Sequence, residues 1–174
     1  WSSDVCSSDL STSGRESSRS LSNSTRAVAC GGGNPARVNI LDYVTIASTG
    51  NAVSFGSLIT TTGDAACNQS STRGIIGGGD TPTNTSSIQY ITISTLGNAV
   101  SFGNLSVAKS NLAGGGNSTR GIFGGGNTPT LVNTIEYITI ASLGDAINFG
   151  SLTVARNALR SEEHTSELQS PCNL

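Results

Sequence analysis

Short apolar runs alternate along the chain with polar and glycine-rich segments. GIIGG (74–78) and GIFGG (121–125) are brief apolar runs closed by glycines, while IQYITI (88–93) and IEYITI (135–140) are rich in β-branched and aromatic residues. Runs of this length and composition predict buried β-strands. No segment keeps an apolar period of 3.6 residues, so we expect an all-β fold.

Turns and further strands complete the pattern. STLGN (94–98) and ASLGD (141–145) place Gly beside Asn or Asp, which predicts hairpin turns. The following AVSFGNLSVAK (99–109) predicts a third strand, and the weaker SNLAGGGN (110–117) predicts a fourth. Each unit of the pattern therefore predicts about four strands.

The whole pattern returns every 47 residues without a gap. Units begin at Ser24, Ser71 and Ser118, and Arg15 keeps the same spacing because it lies 94 residues, or two units, before Lys109. The chain divides into the end of a preceding repeat (11–23), repeat 1 (24–70), repeat 2 (71–117) and an incomplete repeat 3 (118–159).

A repeat of this size with four strands matches one blade of a β-propeller, whereas the rungs of a solenoid are typically shorter. Three blades cannot close a ring, which takes about four to eight. We therefore expect these units to pack against other blades of a longer parent protein or against other copies of the chain.

Several positions recur in every unit: an arginine after Ser-Thr, a diglycine, a tyrosine and a phenylalanine. They are Arg26, Arg73 and Arg120; Gly31-Gly32, Gly78-Gly79 and Gly125-Gly126; Tyr43, Tyr90 and Tyr137; and Phe55, Phe102 and Phe149. Their order resembles the kelch motif, although kelch blades usually carry Trp where these units carry Phe. The resemblance implies a partial kelch-like β-propeller, with about three four-stranded blades in a galactose oxidase-like fold.

The two ends depart from the repeat. WSSDVCSSDL (1–10) can be encoded by a DNA strand whose complement encodes RSEEHTSEL, the start of segment 160–174. Both ends resemble translated sequencing adapter, which has to be set aside before fold reasoning. We therefore expect 1–10 and 160–174 to be artefacts, and the residues between them to be an internal fragment of metagenomic origin.

Charge and catalytic residue types exclude several functions. Residues 11–159 carry eight basic and six acidic side chains, a net charge of +2 against −2 for the whole chain. So small a charge points to no nucleic-acid partner, and no apolar run approaches the roughly 20 residues of a membrane span. The segment has no histidine and two cysteines, Cys30 and Cys67, so no zinc site, Ser-His-Asp set or P-loop can be assembled. We expect no enzyme activity and no cofactor.

Two sets of repeated polar residues have alternative interpretations. Arg26, Arg73 and Arg120 would form a ring for an anionic ligand or a repeated contact that ties strands or blades together, and repetition favours the contact. The residues before the tyrosines, Asp42, Gln89 and Glu136, differ in charge between units. That variation is typical of a solvated face, where we expect them.

The loops after the diglycines vary most between units, and loops on a rigid scaffold commonly carry binding. Loops 34–39, 81–87 and 128–134 are therefore our candidate recognition surface, with surface drift as the alternative. The candidate binding residues are Asn34, Arg37, Thr81, Thr83, Asn84, Thr128, Thr130 and Asn133.

The wording STRGIFGGG…IEYITIASLG resembles repeats of structural and tail-fibre-like proteins of marine bacteriophages. The resemblance implies a virion component that contacts a host-surface glycan or protein. We therefore expect a non-enzymatic structural or adhesion module. One alternative is a cellular kelch-type protein-interaction scaffold. The other is a fragment of a secreted galactose-oxidase-like or carbohydrate-active protein, whose copper site would need histidine ligands from outside residues 11–159.

Overall fold

The computed structural model of the protein describes residues 14–33 and 35–157, and in this part of the chain it contains strands and no helix. Asn34, both predicted adapter ends and residues 11–13 and 158–159 lie outside the described residues.

The described strands form three four-stranded sheets and two small hairpins. Sheet 1 consists of β1 (Arg19–Ser22), β2 (Arg26–Cys30), β3 (Ile40–Thr45) and β4 (Val53–Ser57). Next along the chain come β5 (Ala66–Gln69), β6 (Arg73–Gly77), β7 (Asp80–Thr81), β8 (Thr83–Asn84), β9 (Ser87–Thr92) and β10 (Val100–Asn104). The last strands are β11 (Ala113–Gly116), β12 (Arg120–Gly124), β13 (Asn127–Thr128), β14 (Thr130–Leu131), β15 (Thr134–Thr139) and β16 (Ile147–Ser151).

All three sheets are antiparallel meanders. Sheet 1 has the order β1-β2-β3-β4, sheet 2 the order β5-β6-β9-β10, and sheet 3 the order β11-β12-β15-β16. β7–β8 and β13–β14 are separate two-stranded hairpins inserted between the second and third strands of sheets 2 and 3. This architecture confirms the prediction of an all-β chain with three four-stranded units in a partial propeller-like arrangement.

The sequence repeat and the sheets are offset from each other. Repeat 1 (24–70) supplies β2, β3 and β4 to sheet 1, and its last strand, β5, begins sheet 2. Each covalent repeat therefore joins two neighbouring sheets.

One strand prediction was too long. The run 99–109 forms a strand only as far as Asn104, because Leu105 N then donates a hydrogen bond to the Ser86 oxygen and the chain turns away from the sheet edge. This turn buries Lys109 in the interior.

Two apolar cores lie between the sheets. The first joins sheets 1 and 2, and the second joins sheets 2 and 3. The first core includes the buried residues Leu21, Val28, Leu41, Phe55, Ile76, Ile91 and Ile93. The second includes Ile75, Ile88, Phe102, Leu112, Phe123, Ile138 and Ile140. The first strands, β1, β5 and β11, are near neighbours, with β5 in contact with the other two. The first strands are therefore innermost and the fourth strands are outermost.

Each sheet also covers the outer edge of the sheet before it. The covering loop of sheet 2, residues 93–99, pairs with β4 through a hydrogen bond from Gly97 N to the Phe55 oxygen at 3.0 Å. The covering loop of sheet 3, residues 140–146, pairs with β10 through Gly144 N and the Phe102 oxygen, also at 3.0 Å. A second main-chain bond two residues further on repeats this pairing in both places. An edge strand that would otherwise be open is thus satisfied by its neighbour.

Candidate functional site

The diglycines bind, through a main-chain hydrogen bond, the segment that links one sheet to the next. Gly32 N donates to the Thr62 oxygen at 2.8 Å, and Gly79 N donates to the Lys109 oxygen at 2.9 Å. Both glycines have positive φ values, 87° and 100°, and a Cβ on Gly79 would lie 2.5 Å from the Gly63 oxygen. Only glycine fits this conformation and this close approach. The diglycine is therefore part of the sheet-to-sheet connection.

The repeated arginines connect sheets as well. Arg26 Nη1 donates to the Ile93 oxygen at 3.0 Å, and the guanidinium lies 4.8 Å from the centroid of the Tyr43 ring. Arg73 makes the equivalent contacts with Ile140 and Tyr90, at 2.9 Å and 4.9 Å. Of the two interpretations of the arginines, these geometries favour a repeated contact that ties sheets together.

The repeated aromatic residues pack in pairs within each sheet. The rings of Tyr43 and Phe55 are 5.9 Å apart and nearly perpendicular, at 82°. The equivalent pairs of sheets 2 and 3 are 6.1 Å and 6.0 Å apart. The edge-to-face geometry of all three pairs is the one that aromatic quadrupoles favour.

The expectation of a solvated face before the tyrosines is wrong. Asp42, Gln89 and Glu136 are all buried. Glu136 Oε1 accepts a hydrogen bond from Ser106 N at 2.7 Å, and Gln89 Oε1 accepts one from Ile59 N at the same distance. The side chain before each tyrosine therefore accepts a hydrogen bond from the segment that follows the fourth strand. This role requires a hydrogen-bond acceptor in the interior.

The two buried carboxylates are paired with buried cations. Lys109 Nζ lies 2.6 Å from Glu136 Oε2 and donates to the Thr134 hydroxyl at 3.2 Å. Arg15 makes the equivalent ion pair with Asp42 in sheet 1. Burial raises the pKa of Glu136, but the hydrogen bonds from Lys109 and Ser106 outweigh it and the net shift is downward.

The sequence carried a signal for these pairs. In sheet 2, Thr62 occupies the position of Arg15 and Lys109, and Gln89 occupies the position of Asp42 and Glu136. The cation and the carboxylate are thus both present or both replaced. Joint replacement is what a buried ion pair requires, because one charge left alone in the interior is costly.

Two of the predicted loop residues bind a neighbouring repeat. Arg37 Nη2 lies 2.7 Å from Asp64 Oδ2 and 3.0 Å from Asp80 Oδ2. The hydrogen bond to Asp80 raises the pKa of Arg37 against the opposing effect of burial. Asn84, one repeat later, donates to the Asn127 oxygen at 2.6 Å. Both side chains fix the spacing between adjacent loops.

The remaining predicted loop residues are more accessible. Thr81 pairs with Thr83 across β7–β8, and Thr128 pairs with Thr130 across β13–β14. Thr83 and Thr130 are exposed at the hairpin tips. Asn133 is also exposed, but its amide donates to the Leu152 oxygen at 3.3 Å. A binding role for these residues stays a prediction.

Cys30 and Cys67 are free thiols, one buried and one partly buried. A hydrogen bond with the Cys67 side chain, together with burial, raises the pKa of Cys30 well above its ordinary value. A thiol with so high a pKa is a poor nucleophile at neutral pH, so Cys30 behaves as a core residue.

The described residues offer little else for chemistry. A pocket of about 140 Å³ lies beside loop 93–99, between Tyr90, Leu96 and Asn98, and its lining includes no charged side chain. No group of three or more His, Cys, Asp or Glu side chains in 14–33 and 35–157 could hold a metal ion. No helix in these same ranges is long and apolar enough to cross a membrane.

Comparison with known proteins assigns no family, because no protein-family model matches the chain and no curated protein matches it. The class of protein is therefore defined by the fold alone: an all-β repeat protein in which three four-stranded antiparallel sheets are connected by repeated contacts.

Proposed function

We propose that the chain is a non-enzymatic structural or binding module that presents its hairpins to a macromolecular partner. The observation that carries the proposal is the pair of hairpins β7–β8 and β13–β14, which leave Thr83 and Thr130 exposed at equivalent places on sheets 2 and 3. Recognition commonly uses such loops on a rigid scaffold, and equivalent loops let one partner be held at several points.

The strand order supports a common binding face. Both hairpins follow the second strand of an antiparallel sheet, so they project from one end of the strands, while covering loops 93–99 and 140–146 lie at the other end. Contacts from Arg37 to Asp80 and from Asn84 to Asn127 hold the loops side by side. A spaced row of polar tips of this kind suits a repetitive ligand such as a glycan.

The biological context of this module is proposed from the amino-acid sequence of the repeats alone. Their resemblance to structural and tail-fibre-like proteins of marine bacteriophages suggests a kelch-like propeller in a virion, with a host-surface glycan or protein as partner. Peptides of this chain in purified virus particles, identified by mass spectrometry, would support that setting, and their absence from particles that encode the chain would contradict it.

The binding function is tested with the full chain on a glycan array and on intact bacterial cells. We expect the double variant T83A/T130A to lose at least tenfold in affinity for whatever the wild type binds. The control is T95A/S142A, which removes two exposed hydroxyls from the covering loops at the opposite end. Absence of binding by the wild type, or equal loss in both variants, would overturn the proposal.

A further inference from the structure

Sheet 1 has a loop equivalent to the covering loops of sheets 2 and 3, and this loop is exposed. Loop 46–52 has the sequence IASTGNA, close to ISTLGNA (93–99) and IASLGDA (140–146). Ile93 and Ile140 of those loops are 0% and 2% exposed, because each packs on the preceding sheet, whereas Ile46 is 55% exposed. Loop 46–52 therefore has the residues for covering a sheet edge, and the described residues supply no edge for it to cover.

The outer strand of sheet 3, β16, is a sheet edge that no covering loop among the described residues covers. Phe55 and Phe102, in the outer strands of sheets 1 and 2, are 3% and 4% exposed beneath the next covering loop. Phe149, at the same position in β16, is 53% exposed. Its main-chain oxygen is the equivalent of the two oxygens that accept from Gly97 and Gly144.

The arginine contact between sheets is also incomplete at sheet 3. Arg26 and Arg73 each donate to the oxygen of the isoleucine that begins the next covering loop. Arg120 lies over Tyr137 in the same way, at 4.7 Å, but it is exposed. The repeat equivalent of its missing acceptor is the oxygen of Ile46.

We propose that loop 46–52 of a second copy of the chain docks on β16, and that this junction reproduces the contacts already made twice within the chain. Gly50 N would donate to the Phe149 oxygen, and Arg120 would donate to the Ile46 oxygen. The two faces are different and complementary, so the contact is head-to-tail. The proposal does not depend on the binding function proposed for the hairpins.

Ring size selects the number of copies. Propeller rings hold about four to eight sheets. The described residues form three sheets, so two copies supply six and three copies supply nine. For the 174-residue polypeptide, two copies alone fall within this range, so the head-to-tail junction of this polypeptide closes as a dimer with two identical junctions.

The inner part of each junction requires a local adjustment, because the two copies overlap there. Residues 14–16 are the repeat equivalents of 155–157, which lie 141 positions, or three repeats, further along the chain. Within sheet 1 of their own chain, Arg15 already pairs with Asp42 and Glu16 with Gly33. Residues 155–157 of the other copy therefore give way.

The test is sedimentation velocity of the full chain over a range of concentrations. We expect the mass to double with rising concentration. F149D and I46D should each remain monomeric, because each places a charge in both junctions of the ring. An equimolar mixture of the two variants should recover a one-to-one dimer, since one junction then has two intact faces.

The matched control is I147D in the same strand. Ile147 is 58% exposed, and its equivalents Val53 and Val100 stay 55% and 52% exposed although covering loops lie beside them. I147D should therefore dimerise like the wild type. A wild type that stays monomeric at every concentration, F149D that still dimerises, or equal effects of F149D and I147D would overturn the proposal.

A cross-link gives a second measurement that does not require disrupting the interface. Ser57 N donates to Asn98 Oδ1 at 3.0 Å across the junction of sheets 1 and 2. The equivalents of these residues at the proposed junction are Ser151 and Asn51. The variant S151C/N51C should form an intermolecular disulfide between these two positions, mapped by mass spectrometry of the joined peptides. Cross-linking at other positions only would contradict the proposed register.

Discussion

Arg26 donates a hydrogen bond to the main-chain oxygen of Ile93, which lies 67 residues further along the chain and in the next sheet. The same guanidinium lies over the ring of Tyr43 in its own sheet. A single side chain thus connects two sheets, and Arg73 repeats this connection one unit later. The 47-residue repeat is therefore a unit of contact between sheets as well as a unit of strand order.

Removing this connection should be costly only where the next sheet is present. Arg73→Ala is expected to lower the free energy of unfolding by about 1–3 kcal/mol, because it removes a charge-assisted hydrogen bond and the contact with Tyr90. Arg120→Ala should cost about 1 kcal/mol or less, since among the described residues the Arg120 guanidinium contacts the Tyr137 ring alone. Urea unfolding of dilute protein measures both, and equal losses would count against the role given to the arginine.

The buried ion pair of sheet 3 can be exchanged for the neutral pair of sheet 2. K109T alone leaves the Glu136 carboxylate buried without its cation, and we expect it to lower the free energy of unfolding by about 3–5 kcal/mol. Adding E136Q recreates the Thr62 and Gln89 combination and should recover more than half of that loss. The comparison is a double-mutant cycle in urea, and simple additivity of the two changes would contradict the pairing.

Acid should weaken the fold through Glu136. Its folded pKa is lowered, because the hydrogen bonds from Lys109 and Ser106 outweigh burial. A carboxylate with a depressed folded pKa stabilises the fold above its unfolded value near 4.3, and this stabilisation is lost as the pH falls through the folded pKa. Between about pH 5 and pH 3, wild-type stability should therefore fall more steeply than that of K109T/E136Q. Parallel pH profiles of unfolding would rule out this contribution.

Two equivalent glycines should respond differently to the same substitution. A Cβ on Gly77 would lie 2.7 Å from the Phe123 ring, between sheets 2 and 3, whereas a Cβ on Gly124 would meet nothing within 4 Å. Gly77→Ala should therefore lower the free energy of unfolding by about 1–3 kcal/mol, and Gly124→Ala should change it by about 0.5 kcal/mol or less. A loss in Gly124→Ala as large as in Gly77→Ala would show that strand propensity, and not packing between sheets, sets the cost.

Repetition made the four strands of each sheet predictable from the sequence, whereas the hairpins β7–β8 and β13–β14 lie at segments predicted as loops. Apolar runs such as IQYITI are strands because their β-branched and aromatic residues suit a pleated surface covered on both faces. The diglycines and tyrosines likewise kept one conformation in every unit. Local chemistry decides such features, so one unit predicts the next.

Features that depend on a neighbouring sheet were harder to predict. Glu136 stands at a position whose charge varies between units, which favoured a solvated face, but its ion pair with the distant Lys109 stabilises the carboxylate in the interior. Arg37 lies in a variable loop, which favoured ligand binding, but it contacts Asp64 near the end of its own repeat and Asp80 of the next repeat. In both cases the deciding contact is about 27 to 43 residues away, beyond the reach of local pattern.

Amide hydrogen exchange of the dilute, monomeric chain tests most directly whether each sheet covers the edge of the one before. The amides of Gly97 and Gly144 donate to β4 and β10, so we expect both to be protected from exchange. The amide of Gly50, at the same place in loop 46–52, has no such acceptor among the described residues and should exchange rapidly. Equal exchange at all three glycines would contradict the account.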